Sequence, residues 1–178
     1  MKTFIKISVC LTMLSITMIG CDKDKNDGNS NGNANSNNNS NCNLKASITP
    51  AAGWEKNNSV QQSIWFKGTP YGSISLTVEN IPSDINTADE YALFIHDELK
   101  KAFQDVEFSS ISETTIEGRD AVEYYYTATV MNKEMKYRMI HICLDSCAYT
   151  IACGCLESDF DSLAGEYQSM IDSYTLTE

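Results

Sequence analysis

The stretch YRMIHICLDSCAYTIACGCL, Tyr137 to Leu156, decides how this chain folds. Two apolar runs, Tyr137–Leu144 and Cys147–Leu156, flank the polar pair Asp145-Ser146, the pattern of a β-hairpin closed by a two-residue turn. Side chains alternate between the two faces of a sheet, so each possible register can be tested against polarity. Pairing Leu144 with Cys147 sets Ile142 opposite Tyr149 and Ile140 opposite Ile151, all on one face. A slip of one residue would divide that apolar set between the faces, so the first register is the expected one. It points His141 and Cys143 away from Cys153 and Cys155.

Upstream, Val122, Tyr124, Tyr126, Ala128 and Val130 alternate with Glu123, Thr127 and Thr129, which predicts another strand. Turns are expected at Glu117-Gly118 before it and Asn132-Lys133 after it. Ser73–Glu79 alternates in the same way, with Ile74, Leu76 and Val78 on one face. Two segments have helical period instead. Thr87-Ala88-Asp89-Glu90 has the form of a capping box, and Ala92, Ile95, Leu99, Ala102 and Phe103 follow at helical spacing. Phe160, Leu163, Ala164, Tyr167, Met170, Ile171 and Tyr174 form a second stripe. Ser158 is placed to cap it, with Glu157, Asp159 and Asp161 near the positive end of the helix dipole. The order of strands, helix, antiparallel strands and helix predicts an α+β fold, an antiparallel sheet with helices packed on it.

The N-terminus reads as an address. Lys2 and Lys6 precede an apolar run, Ile7–Ile19, whose 13 residues would span roughly 20 Å as a helix, too short for a membrane core of about 30 Å. Residues 1–20 therefore read as an export signal. The run ends in Met18-Ile19-Gly20-Cys21, which resembles the lipobox of bacterial lipoproteins and implies that Cys21 is the lipid-attachment residue. Residues 21–43 hold ten asparagines and almost nothing apolar. Such a segment cannot bury enough surface to offset its ordering entropy, so it reads as a disordered tether. Residues 44–178 remain as one domain. The chain has 178 residues and a net charge of −11; Lys2, Lys6, Lys23 and Lys25 against Asp22, Asp24 and Asp27 sum to +1, which leaves the domain at −12. That charge repels nucleic-acid phosphates and excludes nucleic acid as a partner.

Several small motifs come in a familiar order: Pro50-Ala51-Ala52-Gly53-Trp54, the Ser73–Val78 strand, the helix after Thr87, Gly118 followed by Ala121, the Tyr137–Cys155 hairpin, and a closing helix ending in Ser173-Tyr174. Together they resemble the PsbP family of photosystem extrinsic proteins and its bacterial lipoprotein relatives. The resemblance covers nearly the whole domain and implies an α/β/α sandwich, an antiparallel sheet with helices on both faces. The wider fold includes a nuclear import factor that binds a small GTPase, and the resemblance implies assembly or binding roles with no shared catalytic residues. In a sandwich of this kind Tyr125, which points away from Tyr124 and Tyr126, is expected to be taken up in helix packing.

Candidate chemistry centres on cysteine. Cys10 lies in the signal, Cys21 is the lipid site, Cys42 falls in the tether, and Cys143, Cys147, Cys153 and Cys155 crowd the hairpin. Their spacing differs from the paired knuckles of zinc sites, and the register separates His141 and Cys143 from the other two, so no metal site is expected. A disulfide between Cys143 and Cys147 is a possibility after export, provided the turn is wider than two residues; strict pairing points the two side chains to opposite faces. The alternative is that the hairpin cysteines act as small buried hydrophobes. A thiol oxidoreductase is the weaker reading, because no Cys-x-x-Cys opens a helix. His96 and His141, the only histidines, show no companion nucleophile. Glu157, Asp159 and Asp161 resemble the start of a calcium loop, but its sixth and twelfth positions are Ser162 and Gln168.

The expectation is therefore a membrane-anchored extracytoplasmic lipoprotein whose acyl chains, palmitate among them, hold a non-catalytic interaction or assembly module at the cell membrane. No catalytic residue, cofactor or metal ligand is assigned. A protein partner is expected. The alternative is a carrier or sensor of a small envelope ligand or cation.

Overall fold

The computed structural model describes residues 42–58, 63–103 and 105–177. All of them fall in the unit Ser40–Glu178. The signal and Cys21 lie outside the described residues, as does the tether up to residue 41. The elements are β1 (Lys45–Ser47), β2 (Glu55–Lys56), β3 (Ser63–Gly68), β4 (Tyr71–Asn80), α1 (Ala88–Ala102), β5 (Val106–Phe108), β6 (Ser112–Ile116), β7 (Arg119–Val130), β8 (Lys133–Leu144), β9 (Cys147–Leu156), a 3-10 turn (Glu157–Asp159), α2 (Phe160–Asp172) and β10 (Thr175–Thr177).

Eight strands form one antiparallel sheet in the order β2-β3-β4-β9-β8-β7-β5, with β6 also paired to β7. The register of β8 and β9 is the one polarity selects: Leu144 faces Cys147, Ile142 faces Tyr149 and Ile140 faces Ile151. Three hairpins in succession close through two-residue turns in which both residues have positive φ: Glu117-Gly118, Met131-Asn132 and Asp145-Ser146. This left-handed pair matches the right-handed twist of the flanking strands. The turn expected at Asn132-Lys133 sits one residue earlier, because β8 begins at Lys133 and pairs it with Val130.

The helices lie on opposite faces. Thr87 caps α1 by accepting from the Glu90 amide at 3.2 Å, and the Glu90 carboxylate accepts from the Asn86 amide at 2.7 Å. The helix buries Tyr91, Ala92, Ile95, His96 and Leu99 over β7 and β8, with Tyr91 against His141 and His96 against Tyr124. Across the sheet, Phe160, Leu163, Tyr167, Met170 and Ile171 of α2 share a cluster with Ile74, Leu76, Ile140, Ile142 and Ile151. Ser158 does not cap this helix. It lies within the 3-10 turn that carries the chain out of β9, and Asp159 takes the cap position without a side-chain bond.

Gly72 and Gly154 permit close approach. A Cβ at Gly72 would come within 2.7 Å of Leu163 and 2.9 Å of the Tyr167 hydroxyl, so the bare strand lets α2 settle on the sheet. The short strands β1 and β10 form a separate two-stranded sheet, Lys45 opposite Thr177 and Ser47 opposite Thr175.

Candidate functional site

Under α1 the sheet carries a layer of polar and aromatic side chains. Alternation places Tyr124, Tyr126, His141 and Thr150 on this face. His141 is fully buried; its Nδ1 lies 2.8 Å from Thr150 Oγ1 and its Nε2 lies 3.2 Å from the Tyr124 hydroxyl. Either neutral tautomer satisfies both contacts, one nitrogen donating and the other accepting. Burial, with His96 nearby, pushes the His141 pKa down to about 3. Tyr91 donates its hydroxyl to Glu79, whose carboxyl is raised by burial. His96 stacks on Phe108 with ring centroids 4.0 Å apart, and its Nε2 has no hydrogen-bond partner among the described residues. Burial, then Lys100, lowers the His96 pKa. Burial disfavours the charged form of His141, His96 and Glu79, and both histidines are buried between helix and sheet.

The cysteines divide as the register requires. Cys153 and Cys155 are buried on the α2 face, and Cys143 is half-buried on the other. Burial pushes the Cys143 and Cys155 thiols up to about 11 and raises Cys153 as well. This is the reverse of the thiolate activation that nucleophilic cysteines need. The candidate pair Cys143 and Cys147 is not bridged. The turn is the strict two-residue one, so their side chains leave opposite faces. Cys147 is instead bonded to Cys42, across 105 positions of sequence with Cα atoms 5.7 Å apart. Cys42, read from sequence as part of the tether, is thereby fixed to the sheet. The one local signal for it is its position where the asparagine tract gives way to the apolar Leu44 and Ala46, both packed on the core.

On the α2 face the helix packs over β4 and β9, and its first residue, Phe160, meets Tyr125. Phe160 meets the Tyr125 ring edge-on at 5.9 Å. Glu123, Tyr125 and Thr127 of β7 stay half-exposed, and Thr129 is exposed. The expectation that helix packing absorbs Tyr125 is thus met only at its rim. Lys136 and Arg138 of β8 flank the ring, with Lys136 Nζ 6.0 Å and the Arg138 guanidinium 5.9 Å from its centroid. Arg138 is held by Glu123, at 2.6 and 3.1 Å, and by Gln168 of α2 at 2.8 Å. Lys136 lies 5.0 Å from the Phe160 ring. Beside this platform is a recess of about 400 Å³ lined by Asp105, Glu107, Thr127, Thr129, Glu134 and Glu157. Among the described residues no three His, Cys, Asp or Glu side chains stand close enough to share a metal ion. Glu157 therefore belongs to the wall of an acidic recess, whereas Asp161 lies in the first turn of α2.

No protein-family profile and no curated protein matches the chain. Solved structures do. LpqN of Mycobacterium tuberculosis, described as involved in cell envelope biogenesis, superposes with a TM-score of 0.62 at 14% identity, covering 76% of this chain and 84% of its own. Cyanobacterial PsbP from Synechocystis superposes at 0.51 and 12% identity, covering 75% and 92%. The fold is PsbP-like. A variant of the protein Mog1 superposes at 0.51 and 9% identity, covering 74% and 95%. At such identities the likeness concerns the fold, and the PsbP-like architecture agrees with the sandwich that the sequence motifs imply. Among the described residues no helix is long and apolar enough to cross a membrane.

Proposed function

We propose that this protein is a lipid-anchored extracytoplasmic module that binds a protein partner through the open part of its sheet, without catalysis. One observation carries the reading: the PsbP-like domain keeps its histidines and free thiols in or beside the core, yet leaves Tyr125, Lys136 and Arg138 half-exposed on the α2 face. A tyrosine ring beside an arginine is the kind of pair that protein interfaces enrich. The compartment is supported separately. A disulfide between Cys42 and Cys147 persists outside the reducing cytosol, in agreement with an export signal and a lipid site at Cys21. LpqN, described by its cell-envelope role, lends the envelope assignment further support. The acidic recess gives the cation reading a diffuse field, with no chelating set among the described residues.

Two measurements test this reading. Replacing Cys21 with Ser should abolish incorporation of labelled fatty acid and release the protein from the membrane fraction; retention with continued labelling would refute the anchor. Crosslinking in intact cells should recover one recurrent protein partner, and its loss in Tyr125→Ala would place the contact.

A further inference from the structure

The two sulfurs of the Cys42–Cys147 bridge stand in different surroundings. Cys147 is 1% exposed within the apolar cluster, whereas Cys42 is half-buried at its rim. Asn80 pairs with Cys147 across the β4–β9 ladder. Its side-chain oxygen lies 3.4 Å from Cys42 Sγ and 4.0 Å from Cys147 Sγ, placed to accept an S–H from either once the bridge opens. Cys143 points to the other face of the sheet, and Cys153 and Cys155 are fully buried, so none of these thiols is placed to reshuffle the bridge. Besides the bridge, the N-terminal segment is fastened by Leu44, Ala46 and Ile48 on the apolar cluster and by a few polar contacts. β1 meets β10 in three residue pairs, the Thr49 amide donates to Ser173 Oγ at 2.8 Å, and the Ser47 and Thr175 hydroxyls meet at 2.7 Å.

We propose that the Cys42–Cys147 bridge is a redox-addressed latch on the N-terminal segment, opened and closed by thiol–disulfide exchange at the Cys42 sulfur. The co-reactant is an external thiol or disulfide, small or carried by a protein. In opening, an external thiolate attacks Cys42 Sγ; a new S–S bond forms there, the bond to Cys147 breaks, and its electron pair leaves on Cys147, which takes a proton from water. A second external thiolate then attacks the external sulfur of the mixed disulfide. It frees Cys42 and yields one external disulfide, so two external thiols are oxidised while the protein bridge is reduced. Closing runs in reverse, with an external disulfide reacting at Cys42 and Cys147 displacing it. When closed, Cys42 is a fixed point on the β9 end of the sheet. When open, the non-covalent contacts of Leu44 to Thr49 alone hold the segment.

Glutathione serves as the probe. The folded, oxidised protein is exposed to reduced glutathione, quenched by acid alkylation and mapped by peptide mass spectrometry; glutathione should be found on Cys42, and finding it first on Cys147 or Cys143 would overturn the proposal. With glutathione disulfide, Cys147→Ser should become modified at Cys42 at least about tenfold faster than Cys42→Ser is modified at Cys147. The wild-type mapping keeps the test decisive if either variant folds poorly. Full reduction should raise amide exchange across Lys45–Ser47 by about tenfold while leaving the centre of β8 unchanged. Unchanged exchange in Lys45–Ser47 would show that the bridge latches nothing.

Discussion

His141 owes its neutrality to burial, and that makes stability depend on pH. Its pKa falls from an ordinary 6.5 to about 3 in the folded protein, so between these values the unfolded chain binds the extra proton. The stability it contributes is whole above pH 6.5 and is lost as pH falls toward 3, with a slope of up to about 1.4 kcal/mol per pH unit. His96, lowered by burial and then by Lys100, acts with the same sign. Glu79, raised by burial, acts with the opposite sign, its contribution being lost as pH rises through its folded value. Comparing His141→Asn with the wild type in urea melts between pH 6.5 and 5 isolates the histidine. The variant's stability should vary less with pH by about 1 kcal/mol per unit; equal slopes would show that His141 titrates normally. Gly154 is a second sensitive residue. A Cβ there would lie 2.5 Å from the Tyr137 ring, which Tyr126 already pins by stacking at 4.6 Å. Gly154→Ala should therefore cost about 1–3 kcal/mol, read as a lowered denaturant midpoint at unchanged slope.

At the scale of elements, the three tight turns are where local sequence and backbone disagree. Asp145 and Ser146 hold φ of 48° and 66°, a region costly for residues with a Cβ. Ser146 supplies only its carbonyl, which accepts from the Ile81 amide at 3.0 Å, so glycine can replace it without losing that bond. Ser146→Gly should stabilise the protein by about 1 kcal/mol and raise its melting temperature by several degrees; a lower melting temperature would mean the side chain has a role. Elements with strong alternation or a cap could be read from sequence: β7, β8, β9, α1 and α2 bury the faces their patterns specify, except that Ala102 and Ala164 of the helical stripes are exposed. β1, β2, β5 and β6 could not, because they have two to five residues and mostly polar faces. Tertiary pairing, and not local pattern, makes them strands. The open platform was half legible. Alternation puts Tyr125 on the α2 face, but only the structure shows how far along β7 the helix reaches.

The folded unit is joined covalently between Cys42, near its N-terminal end, and its last hairpin. A bridge across 105 residues restricts the unfolded chain strongly, so Cys42→Ala should destabilise the domain by about 2–4 kcal/mol, while Cys143→Ala should change stability by less than about 1 kcal/mol. Equal effects in chemical denaturation would contradict the pairing. Sequence could not supply this pairing, since chain-distant cysteines leave no periodic mark and the nearer Cys143 competed on proximity alone. The same bridge ties Cys42 to a domain whose histidines and free thiols are largely buried and whose β7–β8 patch is half-exposed. On the function proposed above, this platform would hold a protein partner. The most direct measurement places a photo-crosslinking residue at Thr127, on the platform, and in a second strain at Leu93, which is 57% exposed on α1. In intact cells Thr127 should yield one recurrent protein adduct and Leu93 none; no protein adduct at Thr127, or the same adducts from both positions, would contradict the account.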